Sequence, residues 1–120
     1  MLELIGEITI EVIKLLDLSL TQATPIYIGE TNRIHMINYH YYEFNHYYKD
    51  LPMIISTADY VRLNTDDNSI EYIKSFGKYL KLAVRVAGDG NYYARSLYFI
   101  ESNRVNNLIK KGELKPLTKK

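Results

Sequence analysis

The 120-residue chain is long enough for one domain with a real core and too short for two. It has no cysteine, which excludes a disulfide framework, a thiol nucleophile and a thiolate metal site. Its net charge of +1 hides a split: residues 1–73 hold 4 Lys or Arg against 11 Asp or Glu, a balance of −7, while residues 74–120 hold 11 against 3, a balance of +8. The basic half suits phosphate groups, and the acidic half suits a partner protein or self-association into a homo-oligomer. No run approaches the roughly 18 apolar residues of a membrane span, and no basic-then-apolar leader opens the sequence, so the expectation is a cytoplasmic protein with no membrane contact.

The first apolar residues, Leu4, Ile5, Ile8, Val12, Leu15 and Leu16, fit one helical face better than strict alternation. A helix is expected from about Thr9 to Leu16, then a connector, then a short strand from Pro25 to Gly29. Thr31 is placed to cap the next helix, in which Ile34, Ile37, Tyr41, Phe44 and Tyr48 form an apolar stripe between Glu30 and Lys49. Asp50 followed by Pro52 marks a short helix ending near Thr57. Strands are expected at 60–64 and 70–76, separated by a turn rich in Asp and Asn. Ser102 is placed to cap a last helix with Val105, Leu108 and Ile109 facing inward, and the polar tail after Gly112 reads as frayed.

The central segment, 79–100, reads as a hairpin with Asp89-Gly90 as a two-residue turn. That turn pairs Val86 with Tyr93, Arg85 with Ala94, Ala83 with Ser96, Leu82 with Leu97 and Lys81 with Tyr98. One face then carries Leu80, Leu82, Val84, Val86, Tyr93, Leu97 and Phe99, with Arg95 as its one misfit. The other carries Lys81, Ala83, Arg85, Tyr92, Ser96 and Tyr98, a small-residue floor ringed by cations and hydroxyls of the kind that holds an anion. Taken together, the elements predict a single α+β domain over 1–120: N-terminal helices, an antiparallel sheet of about four strands, a C-terminal helix, and one sheet face left open.

Three histidines, His35, His40 and His46, are spaced 5 and 6 apart rather than i, i+4, so no metal site is expected. No phosphate-cradling glycine loop or G-x-S-x-G turn occurs, and no cofactor is expected. On an unbroken helix His40 borders the apolar stripe and His35 lies nearly opposite, so the two converge only if the helix breaks near Tyr39 to Tyr42. Cleaving RNA through its own 2′-hydroxyl needs a base near neutral pKa, cations for the phosphorane and an acid for the leaving oxygen. His40 or His35 with Lys74, Lys81, Arg85, Ser96 and Tyr98 supplies those groups. Lys74 joins the open face only if Gly77-Lys78 forms a two-residue loop; one more loop residue sends it to the core side.

The ordered segments IYIGETNRIHMINYH (26–40), LPMIISTADYV (51–61), SIEYIK (69–74), LKLAVRV (80–86), YYARSLYFI (92–100) and NNLIKKGELKPL (106–117) resemble the PBECR domains. These form the phage-associated branch of the barnase, EndoU, colicin and RelE nuclease superfamily. Tyr41 stands where the family often has a proline. The resemblance covers a nuclease-like region at 25–117 and implies a barnase/RelE-like fold and a metal-independent RNase, of phage or mobile-element type and toxin-like. By the same resemblance His35, His40, Lys74, Arg85 and Ser96 are catalytic candidates, and the open hairpin face adds Lys81 and Tyr98 as substrate-binding residues. RNA is the expected substrate, and an inhibitor or antitoxin protein the expected partner. The second reading is a non-catalytic protein- or RNA-binding module on the same fold.

Overall fold

The computed structural model describes residues 2–118. Its elements are β1 (Glu3–Ile8), α1 (Ile10–Leu15), β2 (Thr24–Ile28), α2 (Glu30–Tyr39), α3 (Tyr41–Tyr47), a 3-10 turn (Tyr48–Asp50), α4 (Leu51–Thr57), β3 (Tyr60–Asn64), β4 (Ser69–Phe76), β5 (Lys78–Val86), β6 (Tyr92–Ile100), α5 (Ser102–Lys110) and β7 (Lys115–Pro116). The strands form a seven-stranded sheet in the order β1-β2-β6-β5-β4-β3-β7, antiparallel except where β2 runs parallel to β6. This overturns the expected arrangement of N-terminal helices, about four antiparallel strands and a C-terminal helix. Two strands come before the main helices, and one follows the last.

The helix expected from about Thr9 to Leu16 is α1, with Thr9 as its N-cap, and the strand before it escapes the apolar pattern for a local reason. The pairing of β1 with β2 slips between Leu4 and Gly6, leaving Ile5 without a partner opposite. A bulge of this kind resets the side-chain alternation, so Ile5 and Ile8, three apart, both reach the core at 2% and 0% exposure. Three-residue spacing is also what a helix face shows, which is why periodicity alone misleads here. Gly6 is required by packing: a Cβ there would sit 3.0 Å from the Ile55 side chain of α4. At the other edge, Lys115–Pro116 adds to β3, Leu114 is buried, and Leu117 N donates to Asp59 O at 3.1 Å, so the tail expected to be frayed is tied down at 114–117, and its last two positions lie outside the described residues.

The main core lies on one sheet face, where Ile26, Ile28, Ile70, Tyr72, Leu82, Val84 and Leu97 meet Ile8, Met36, Leu51 and Ile54 from the other elements. Each fully buried Leu or Ile contributes about 1.5–3 kcal/mol, so this cluster dominates stability. The opposite face is not open throughout. At one end α5 lays Val105 and Leu108 over Ile73, joined by Leu114 and the half-buried Tyr60, Tyr79 and Ile100. Ile109 stays exposed.

The central hairpin is longer-looped than expected. Ala87 N donates to Asn91 O at 2.9 Å around a three-residue loop, Gly88-Asp89-Gly90, with Gly90 at φ 85°. Next to the loop the pairs are therefore Val86 with Tyr92, Arg85 with Tyr93 and Val84 with Ala94. A bulge at Arg95 removes the extra residue and restores Ala83–Ser96, Leu82–Leu97 and Lys81–Tyr98. Arg95, the one cation on the expected core face, is thus the residue the bulge ejects from the ladder.

The caps also differ. α2 starts after Gly29, whose N–H donates to the Asn32 side chain at 2.8 Å, so Thr31 lies inside the helix. Ser102 is the first residue of α5, with Glu101 as its N-cap and no side-chain cap bond, and Asp50 precedes α4 without one.

Candidate active site

The residues that face away from the main core fall into one polar field across four strands: Arg62 and Asn64 of β3, Glu71 of β4, Lys81, Ala83 and Arg85 of β5, Ser96 and Tyr98 of β6. Cross-strand pairing puts Arg62 opposite Glu71, Glu71 opposite Ala83, Ala83 opposite Ser96 and Lys81 opposite Tyr98. Small Ala83 keeps the middle of this field low. Arg85, Ser96 and Tyr98 are half-buried, accessible enough to touch a ligand.

The histidines reach it because the helix does break. His40 ends α2 and begins α3 with φ −140° and ψ 44°; its N–H donates to Met36 O at 2.7 Å, and its own carbonyl accepts Phe44 N at 2.9 Å. On a straight helix Met36 and Phe44 would point about 80° apart. The break lets both be buried, at 0% and 7% exposure. The bulky run Tyr39-His40-Tyr41-Tyr42 gives little helical propensity to resist it. The expected stripe fails for the same reason: Ile34, Ile37 and Tyr41 are exposed, and Met36 takes the core position.

After the break, the His40 ring stacks on Tyr98 at 5.2 Å between centroids with a 21° interplanar angle, and His35 sits 6.2 Å from His40. His35 is exposed and also packs on Tyr39 at 4.9 Å. Two imidazoles, 35 and 40, therefore share one rim of the field. His46 lies apart, its Nδ1 3.2 Å from Tyr42 O and its ring stacked on Tyr42.

The cations divide. Lys81 is only 8% exposed; its ammonium donates to Glu71 Oε2 at 3.2 Å and lies 4.5 Å from the Tyr98 ring centre. Glu71, 2% exposed, also accepts from Arg62 Nη1 at 2.9 Å and from Asn64 Nδ2 at 3.2 Å. Arg62 in turn reaches Glu113 at 3.0 Å, and these two carboxylates hold its guanidinium above its ordinary pKa despite partial burial, which pulls the other way. Lys81 is thus a buried, neutralised partner, and Tyr98 is already engaged by His40 and Lys81. Sequence reasoning missed Glu71 and Arg62. The signal was there in the period of two: Ser69, Glu71 and Ile73 alternate with the core residues Ile70 and Tyr72.

Lys74 does not join this set. Gly77 alone, at φ 87°, turns the chain, so Phe76 pairs with Lys78 and Lys74 with Leu80. Lys74 falls on the core side, where its ammonium donates to Thr57 O at 3.2 Å at the end of α4 and lies 5.9 Å from the Phe76 ring. Arg85 stays on the open face, but its partner is Tyr93 rather than the expected Ala94. The Asp67 carboxyl lies below its ordinary pKa chiefly through its bond with Ser69, and the Arg85 charge adds to that. Among the described residues, no three His, Asp or Glu side chains gather as a metal-ligand group, and no helix is long and apolar enough to cross a membrane.

The family model described as phage-Barnase-EndoU-ColicinE5/D-RelE like nuclease3 matches residues 3–107 of the chain. No curated protein and no solved structure matches the chain.

Proposed function

The chain belongs to this family of phage-associated, barnase/EndoU/RelE-like nucleases, and on that premise we propose that it is a metal-independent endoribonuclease working on the polar sheet face. The observation that carries this reading is the break at His40, which sets the His35 and His40 rings 6.2 Å apart beside Tyr98 and on the rim of the field holding Ser96 and Arg85.

In this scheme one imidazole takes the proton of the ribose 2′-hydroxyl, the oxygen attacks the adjacent phosphorus, and the other imidazole protonates the departing 5′-oxygen. The products are a 2′,3′-cyclic phosphate and a free 5′-hydroxyl. Arg85 supplies charge for the phosphorane and Ser96 a hydroxyl donor. Tyr98 acts by stacking on His40 and fixing its ring plane. Lys81, through Glu71, builds the floor beneath Tyr98. A toxin-like role in a phage or mobile element, acting in the cytoplasm and held in check by an inhibitor protein, fits this chemistry.

One observation favours a second reading. With Lys81 neutralised by Glu71 and Lys74 on the other face, Arg85 is the one strand cation of the expected set left for phosphate, which suits a module that binds RNA or protein without cutting. Incubating purified protein with RNA in EDTA decides between them. Cleavage leaving cyclic-phosphate ends supports the nuclease; an RNA mobility shift with no product under any condition supports the binding module.

A further inference from the structure

A second surface lies across the molecule and shares no residue with the histidine rim. β1 is the terminal strand of the sheet, and beside it runs a half-open cleft of about 1060 Å³ between β1, α1, α4 and the segment at Leu117 and Thr118. Leu4, Ile10 and Met53, 63%, 43% and 37% exposed, all line it. Large apolar side chains gathered in one groove mark a contact surface rather than ordinary solvated positions. Tyr72 also lines the cleft, and its hydroxyl is buried with no hydrogen-bond partner. Burial alone holds that phenol above its ordinary pKa, so it remains a neutral donor in need of an acceptor.

We propose that this cleft binds an extended, basic and apolar segment of a partner protein, which adds as a strand to the free edge of β1 and drops alternate apolar side chains into the groove. An edge strand offers a row of unpaired backbone groups, and strand addition with side-chain pockets is a general mode of peptide recognition. The charge chooses the occupant. The described lining residues include the carboxylates Glu7 and Glu11, the latter accepting from Thr118 N at 2.9 Å, and no Lys, Arg or His.

The test uses a fluorescein-labelled nonapeptide alternating Lys with Val and Ile, and a control with every Lys replaced by Glu. Fluorescence anisotropy is expected to show saturable binding of the Lys peptide at least tenfold tighter than the control. Protection of β1 amides from hydrogen exchange should accompany it. Leu4→Lys and Met53→Lys, both at exposed positions and checked for folding by circular dichroism, should each weaken binding about tenfold, whereas His40→Ala should leave it unchanged. The proposal is overturned by no binding at millimolar peptide, by binding that Leu4→Lys and Met53→Lys leave intact, by protection that maps to the His40 face, or by a dimer of the protein alone that Leu4→Lys dissolves.

Discussion

Replacing Glu71 with Gln probes the charge network under the proposed site. The side chain is 2% exposed and accepts three bonds, from Arg62 at 2.9 Å, Lys81 at 3.2 Å and Asn64 at 3.2 Å. Glutamine fills the same volume, so no cavity term enters, and what is lost is the negative charge between two cations. Breaking a buried pair costs about 3–5 kcal/mol, because the surviving charge stays desolvated. Arg62 keeps Glu113 at 3.0 Å, but Lys81 loses its carboxylate and keeps only a neutral amide and the Tyr98 ring beside its charge. The lower end, about 3 kcal/mol, is therefore expected, or a Tm drop of roughly 10 °C for a chain of this size. Urea denaturation gives the free energy directly. The double variant Glu71→Gln/Lys81→Met should recover part of the loss, since removing both charges is cheaper than stranding one. A loss below about 1 kcal/mol, the range of an exposed pair, would refute the argument that this network is desolvated.

The turn at Gly77 should be intolerant of a side chain for conformational reasons alone: nothing lies within 4 Å of an added Cβ, yet φ is 87°, so Gly77→Ala is expected to cost about 1–2 kcal/mol in chemical denaturation. Gly6→Ala tests packing instead, with φ unconstrained and Ile55 3.0 Å from the new methyl; about 1–3 kcal/mol is expected, relieved when combined with Ile55→Val. Acid sensitivity should trace in part to Glu3, whose carboxyl is held below its usual 4.5 by hydrogen bonds from Tyr48 and Arg33. A lowered folded-state pKa gives stability that is present above the unfolded value and lost as pH falls through the folded one. Thermal melts of Glu3→Gln should therefore show a shallower decline than the parent below about pH 4.5, with the gap between the two proteins narrowing as the pH drops.

Most of the middle of the chain was legible because its signals were local. Pro52 near the start of α4, the Asp-Asn turn at 65–68 and the Ile and Tyr alternation of β4 each fix an element without help from the rest of the fold. What failed depended on bulges and on distant packing. Ile5 and Ile8 mimic a helix because a bulge removes one residue from the count, and a three-residue loop with a second bulge at Arg95 left the far half of the hairpin register intact while shifting the near half. The same logic governs the site. Spacing could state the condition for His35 and His40 to meet, a break near residues 39–42. Only the burial of Met36 and Phe44 explains why it is met. Lys74 turned on a single loop residue at Gly77, which the sequence left open, and the burial of Lys81 depended on Glu71, a diagonal neighbour that reaches it only once β4 is laid beside β5.

The central claim is that the rim formed by His35 and His40 with Arg85 cleaves RNA, and the direct measurement is cleavage by the parent and by His40→Ala, His35→Ala and Arg85→Ala in EDTA, with each variant checked for folding. The account predicts parent activity that leaves 2′,3′-cyclic phosphates and falls at least about 100-fold in His40→Ala, the usual scale of lost acid–base catalysis. Cleavage at the parent rate in all three variants would contradict it.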